Sequence, residues 1–182
     1  MNIKYHIETA WKYCIDNIMA LIIVTLVLAA VSIVSIGILA PVAFAGYIDS
    51  LFQLLKNNRE PKPQDIFSQL RLFFPLFIFT LAVFIIAIIG FTLFVIPGIL
   101  FIMVIGYTTL YMIPIMVDKK FGILDAVKKS ISIVTSSSII DHIIVAIIFG
   151  ALTSIGGSSF IGFLLLQPFA TLFLLSVYKQ TK

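Results

Sequence analysis

Three ionisable residues stand inside or against apolar stretches. Asp49 interrupts an apolar run about two helical turns before Lys56, and Asp141-His142 open another. An ionisable group at membrane depth is costly and marks a functional hypothesis by default. Asp49 could bind a proton or a cation, with its pKa raised if desolvated. Alternatively its helix ends early and the carboxylate lies at headgroup level beside Lys56 or Arg59. Asp141 and His142 could face a polar cavity and relay protons. They could equally mark the interfacial start of a helix, where Asp141 meets the positive end of the helix dipole. As neighbours about 100° apart on a helix, they do not form a pair by themselves. Lys119, Lys120, Lys128 and Lys129 are candidate contacts for lipid headgroups, each worth about 1 kcal/mol near an anionic surface. A solvated face that enforces orientation accounts for them as well.

Other chemistries find no support. One cysteine, Cys14, and two isolated histidines give no metal-ligand spacing and no intramolecular disulfide. No Gly-x-Ser-x-Gly elbow and no phosphate-cradling glycine loop followed by Lys-Ser/Thr occurs. The sequence predicts no catalytic residue and no cofactor. Nucleic-acid binding is not expected despite a pI near 9.2, because membrane orientation explains the excess lysine.

Composition says which elements must position these groups. Of 182 residues, 61% are hydrophobic and 11% charged, against about 25% charged in a soluble domain. Twelve Lys/Arg and eight Asp/Glu are too few to cover a water-soluble globule of this size. These numbers exclude a disordered, collagen-like or disulfide-rich chain and point to an integral membrane protein.

The charges cluster. None occurs in 17–48, 72–117 or 143–178, runs of 32, 46 and 36 residues. A helix crosses the hydrocarbon core with roughly 20 residues. Each run holds a turn signal near its middle: Gly37 with Pro41, Pro97-Gly98, and Gly156-Gly157 with Ser158-Ser159. The expected fold is an all-α, polytopic transmembrane bundle of about six helices arranged as three hairpins. The spans fall at about 18–37, 39–55, 71–95, 98–117, 138–155 and 159–178 in a single membrane domain, 1–182. Every basic cluster then faces one side, which by the positive-inside rule places both termini in the cytoplasm. A five-crossing alternative makes 18–44 one long helix and puts the basic amino terminus opposite the 56–71 loop. Ala43-Phe44-Ala45 has the form of a signal cleavage site, but the apolar stretch before it is too long for a signal peptide, so no cleavage is expected.

Two segments read as amphipathic helices at the interface. In 1–16 the apolar face is Ile3, Ile7, Ala10, Trp11, Cys14 and Ile15, with Tyr5, Trp11 and Tyr13 suited to the headgroup region. In 121–136 one stripe is Ile123, Leu124, Val127, Ile131 and Val134; the other holds Asp125, Lys128, Lys129, Ser132 and Ser136. Residues 56–66 form the one clearly soluble loop, with Asp65 placed to cap the helix that follows. Within the spans, Thr80, Thr92, Thr108, Thr109, Ser154, Gln167 and Thr171 are expected to bond helix backbones or neighbours. Gly90, Gly98, Gly106, Gly150 and Gly162 are expected to permit close helix contact.

The run Ile96-Pro97-Gly98-Ile99-Leu100, then Pro114-Ile115-Met116-Val117-Asp118, then Gly122, Asp125-Ala126-Val127 and Lys129-Ser130 has a familiar order. With Pro41, Ala45-Gly46-Tyr47, Asp65-Ile66-Phe67, Pro168 and Tyr178, it resembles the membrane domain attached to some bacterial glycerophosphodiester phosphodiesterases. It is also similar to YciC-like families of polytopic bacterial membrane proteins. The resemblance covers roughly 38–178. It implies a bacterial inner-membrane location. It carries over no catalytic residue, since the phosphodiesterase chemistry of that group resides in a separate soluble domain.

The expected role is that of a non-enzymatic accessory component of the inner membrane. Its partners would be membrane lipids, other membrane proteins or further copies of itself. The alternative is a small oligomeric transporter or channel using Asp49 and intramembrane hydroxyls.

Overall fold

The computed structural model describes residues 2–93, 95–136 and 139–181. Met1, Phe94, Ser137, Ser138 (the predicted start of the fifth span) and Lys182 lie outside the described residues. The described chain is all-helical. The elements are α1 Ile3–Asp16, α2 Ile18–Val34, α3 Ala40–Asn57, α4 Phe73–Leu93, α5 Val95–Thr108, α6 Met112–Lys119, α7 Ile123–Ser136, α8 Ile139–Gly157 and α9 Phe160–Gln180. Two short 3₁₀ turns, Pro63–Phe67 and Leu70–Leu72, lie between α3 and α4.

The breaks follow local chemistry. Asn2 caps α1, its side chain accepting from the Tyr5 N–H at 3.2 Å. α1 and α2 meet at Asn17 at 90°, so α1 lies across the bundle while α2 enters it. Between α2 and α3 the chain turns with Ile36 and Gly37 at φ +52° and +81°, and Pro41 opens α3 in its first turn, where it needs no N–H partner. The 18–44 stretch is therefore two helices and not one. Ser159 caps α9, accepting from the Gly162 N–H at 3.0 Å.

The predicted fourth helix, 98–117, is instead two. It breaks at 109–111, and Ser130 of α7 fills the gap. The Ser130 hydroxyl donates to the Thr108 carbonyl (2.7 Å) and accepts from the Tyr111 N–H (3.2 Å). A buried backbone opening that would otherwise leave polar groups unpaired is closed by one side chain.

Four stretches are long and apolar enough to cross a membrane: Pro63–Thr92, Val95–Lys119, Ile139–Gly157 and Phe160–Gln180. Counting the bent α1–α2 pair gives up to five. α3 is not among them, since Asp49, Ser50, Gln53 and Lys56 lower its apolar content. Yet α3 is the most enclosed of the early helices: Val42, Ala43, Ala45, Tyr47, Ile48 and Leu51 are all buried. The core is completed by the second half of α9 and by α6. By contrast, the outer faces of α4 and α5 expose row after row of Ile, Phe and Leu. Apolar exposure on that scale fits a lipid solvent and not water.

One sequence expectation needs correction at this level. Asp65 does not cap α4; it lies inside the first 3₁₀ turn and accepts from the Lys62 N–H at 3.0 Å. The predicted amphipathic stripes divide between protein and open surface. α1 buries His6 and Ala10 and leaves Ile7, Trp11 and Ile15 exposed; α7 buries Ala126, Ser130, Ile133 and Val134 and leaves Leu124 and Ile131 exposed. Each surface helix thus has three flanks: one against protein, one apolar and open, one polar.

Candidate functional site

The charged residues assemble at one end of the bundle into a lattice of pairs. Lys56 of α3 donates to Asp118 Oδ1 at the end of α6 (2.7 Å), and the Tyr178 hydroxyl of α9 donates to Asp118 Oδ2 (3.1 Å). The Asp118 side chain is 3% exposed, so three helices converge on a nearly buried carboxylate. Lys179 donates to the Leu55 carbonyl (3.2 Å), and Arg71 to the Met116 carbonyl (3.3 Å). On the loop, Asp65 Oδ2 accepts from Arg59 Nη2 (2.7 Å) and from the Ser50 hydroxyl (2.7 Å) as well as from Lys62. Partial burial pushes the Asp65 pKa up, but the bonds from Arg59, Ser50 and Lys62 and the Arg59 charge outweigh it and hold the carboxyl below its usual range.

Asp49 is part of this lattice. Its Oδ2 accepts from the Ser68 hydroxyl and the Gln69 amide, both at 2.9 Å. These partners lie between the two 3₁₀ turns; Lys56 and Arg59, the partners anticipated from sequence, bond instead to Asp118 and Asp65. The loop descends directly over α3 because Gly46 lets it. A Cβ at Gly46 would overlap the Ile66 carbonyl oxygen and sit 2.6 Å from that of Asp65.

Asp141 is half-buried in the first turn of α8, and His142 beside it is buried. His142 Nδ1 lies 3.0 Å from the Tyr111 hydroxyl, with the rings edge to face at 5.6 Å. Tyr111 in turn stacks on Tyr178 at 6.1 Å. A second buried imidazole, His6, joins α1 to α9. Its Nε2 donates to Gln180 Oε1 (2.6 Å), and its Nδ1 lies 2.8 Å from the Ser176 hydroxyl. Lys119 and Lys120 are exposed at the end of α6. Lys128 and Lys129 are exposed on α7 and, with Phe121, Asp125 and Ser132, line a shallow cavity of about 450 Å³.

A second, larger feature was not anticipated. A chamber of about 1010 Å³, open on the side of the exposed Met103 and Ile147, lies between α3, α4, α5 and α8, with a wall also from α6 and a single residue of α9. Its lining is almost wholly apolar; Phe44, Ile48, Phe79, Met103, Ile113 and Ile147 are representative. Asp49, Asp141 and His142 do not line it. Thr80, Tyr107, Thr109, Thr153 and Ser154 supply its few polar atoms. Of these, Thr109 and Thr153 donate to their own helix backbone, to Ile105 (2.6 Å) and Phe149 (2.9 Å), and Tyr107 donates to the Val134 carbonyl at 3.0 Å.

The glycines divide accordingly. Gly90 and Gly98 bring α4 and α5 together, a Cβ on Gly98 meeting the Gly90 carbonyl carbon at 2.9 Å; Gly156 and Gly162 do the same for α8 and α9. Gly106 and Gly150 were expected to pack likewise and do not. Both line the chamber, with nothing within 4 Å of the Cβ position. Their missing side chains widen the space.

What sequence reasoning missed is pairing across distance. Asp118, Tyr178 and Tyr111 are ordinary residues at helix ends, and Ser130 an ordinary one within α7, until the fold brings them together. A weak signal existed: Tyr178 and Ser176 interrupt the apolar end of α9. Among the described residues, no three His, Cys, Asp or Glu converge as a metal site. Comparison of the chain with protein-family models, curated proteins and solved structures gives no match.

Proposed function

We propose that the chain is an accessory component of the bacterial cytoplasmic membrane that holds lipid acyl chains in the apolar chamber. In this reading the helices cross the bilayer about six times, α3 is the span that the others shield, and both termini face the cytoplasm with the polar lattice. The resemblance to the membrane domain of glycerophosphodiester phosphodiesterases and to YciC-like proteins fits such a role. No reaction is assigned to the chain itself.

The observation that carries the proposal is the chamber. Small-molecule sites occupy roughly 300–1,000 Å³ and pair apolar walls with a few polar groups. This one stands at the top of that range, and two of its hydroxyls are already engaged with their own helices. What remains favours a ligand with little to hydrogen-bond. At about 30 Å³ per methylene, near the share of one liquid water, it accommodates on the order of thirty carbons, the content of two long chains. Its walls are membrane-facing helices, so lipid is the abundant apolar ligand beside it.

The transporter alternative has less support, because the chamber does not converge on Asp49 and the Asp49 carboxylate already accepts two bonds from the loop.

The test is to fill the space. Gly106→Phe and Gly150→Phe each place a ring into open volume, so the fold tolerates them. Lipid co-purifying with the full chain in mild detergent is then counted by mass spectrometry. At least one tightly held lipid should be lost in each variant and retained in a control, Leu26→Phe, on an exposed face of α2. Equal lipid content in all three would refute the chamber as a lipid site.

A further inference from the structure

The surface helix α7 carries a second site of different chemistry. Its buried flank is Ala126, Ser130, Ile133 and Val134. At 100° per residue, Leu124 and Ile131 fall on one open flank, and they are 73% and 39% exposed. Lys129 falls on the opposite open flank. Lys128 and Ser132 lie on the ridge between, with Asp125 beside them, and Phe121, which precedes α7, joins them at the cavity.

A helix with one apolar and one charged flank open lies in the interface plane, apolar flank toward the acyl boundary. The ridge between those flanks is then at phosphate depth. There the shallow cavity of about 450 Å³ is lined by Phe121, Asp125, Lys128, Lys129 and Ser132. No ion pair joins Asp125 to either lysine among the described residues, so both ammonium groups retain donors to offer.

We propose that this dish docks the phosphodiester of an anionic glycerophospholipid, with Lys128 and Lys129 on the phosphate, the Ser132 hydroxyl as a further donor, and the acyl chains along Leu124 and Ile131. Charge complementarity selects the occupant. The segment 119–132 holds four lysines and one aspartate, a balance of +3, which favours a headgroup with net negative charge over a zwitterion. Asp125 opposes that charge and limits the affinity. The dish shares no lining residue with the chamber, so it does not depend on the chamber holding lipid.

The experiment titrates the detergent-solubilised full chain with phosphatidylglycerol, phosphatidylcholine or phosphatidylethanolamine and reads the first bound lipid by native mass spectrometry at low salt. Phosphatidylglycerol should bind more tightly. Lys128→Gln and Lys129→Gln should each weaken it by up to about fivefold, while Asp125→Asn should strengthen it. The preference should persist in the Gly150→Phe chain, which separates failure of the dish from failure of the chamber. Three outcomes overturn the proposal. One is unchanged preference in the α7 lysine variants. Another is an equal loss in Lys119→Gln/Lys120→Gln, which would make the effect one of diffuse surface charge. The third is weaker binding in Asp125→Asn, or a preference for phosphatidylethanolamine, either of which would assign the dish to an amine-bearing headgroup.

Discussion

The two ends of the bundle are built by different rules. At the charged end, side chains from α3, α6, α9 and the 56–72 loop meet in specific polar pairs around Asp118, Asp65 and Asp49. At the uncharged end, α4 meets α5 and α8 meets α9 through glycine, with backbone nearly touching backbone. Lipid tails are as apolar as Leu and Ile, so apolar side chains gain little by leaving them for one another. Close glycine contact and dispersion must hold the uncharged end. The charged end has water and headgroups nearby, where directional bonds set register. Stability should therefore be concentrated where the polar lattice is, with the uncharged end softer and tolerant of refilling by lipid.

The largest expected effect is at Gly46, where loop and helix come closest. Gly46→Ala puts a methyl into the carbonyls of Ile66 and Asp65, and both obstacles are backbone. Overpacking of this kind costs about 1–3 kcal/mol. Thermal loss of the monodisperse species in detergent should shift to clearly lower temperature. Gly98→Ala, at the other end, also meets backbone, the Gly90 carbonyl carbon at 2.9 Å. There the hairpin can splay into lipid, so the loss should be smaller. A larger loss at Gly98 than at Gly46 would invert the comparison.

Next is the convergence on Asp118. Asp118→Asn removes the charge that Lys56 pairs with and weakens the bond from Tyr178. Hydrogen bonds to charged groups contribute about 1.5–3 kcal/mol, and Lys56 is partly solvated, so the lower part of that range is expected. Lys56→Gln should cost less, because Tyr178 still bonds the carboxylate. A cost for Lys56→Gln equal to that for Asp118→Asn would show that the ion pair alone matters.

How far these features could be read from sequence follows the same division. The uncharged turns are punctuated locally, by Gly37 with Pro41, by Pro97-Gly98 and by Gly156 to Ser159, so helix boundaries there are legible. The break at 109–111 is half legible: Pro114 has no N–H for the Leu110 carbonyl, which is a local signal, whereas Ser130, which closes the gap, comes from another helix. Lys56 and Asp118 are 62 positions apart, and no local period links them. The chamber was invisible for a related reason. Gly106 and Gly150 look like packing glycines in one dimension, and only the positions of their neighbours show that each faces open space. The division of the stripes on α1 and α7 between protein and open surface has a different origin. Binary patterning assumes one buried face, whereas an interfacial helix contacts protein on one flank and lipid on another.

The smallest effect is also the most diagnostic of the charged end, and it is a pH dependence. Asp65 has its folded pKa held below the usual carboxylate range by Arg59, Ser50 and Lys62 despite partial burial. A depressed folded pKa means that the unfolded chain binds the proton more readily. Its stabilising contribution is therefore complete above the ordinary carboxylate pKa, near 3.8, and is lost as pH falls through the lower folded value. As pH falls below about 4 and on through the folded value, the wild-type chain should lose a small increment of stability that Asp65→Asn does not lose. The variant should be the less stable of the two at neutral pH, and the two curves should approach each other on acidification. Arg59→Gln should shrink the difference, since it removes both the shortest nitrogen donor to this carboxylate and its nearest positive charge. Parallel curves for wild type and Asp65→Asn from pH 7 to pH 3 would mean that the loop lattice does not stabilise the charged end, and the contrast with the glycine-held end would then rest on Asp118 alone.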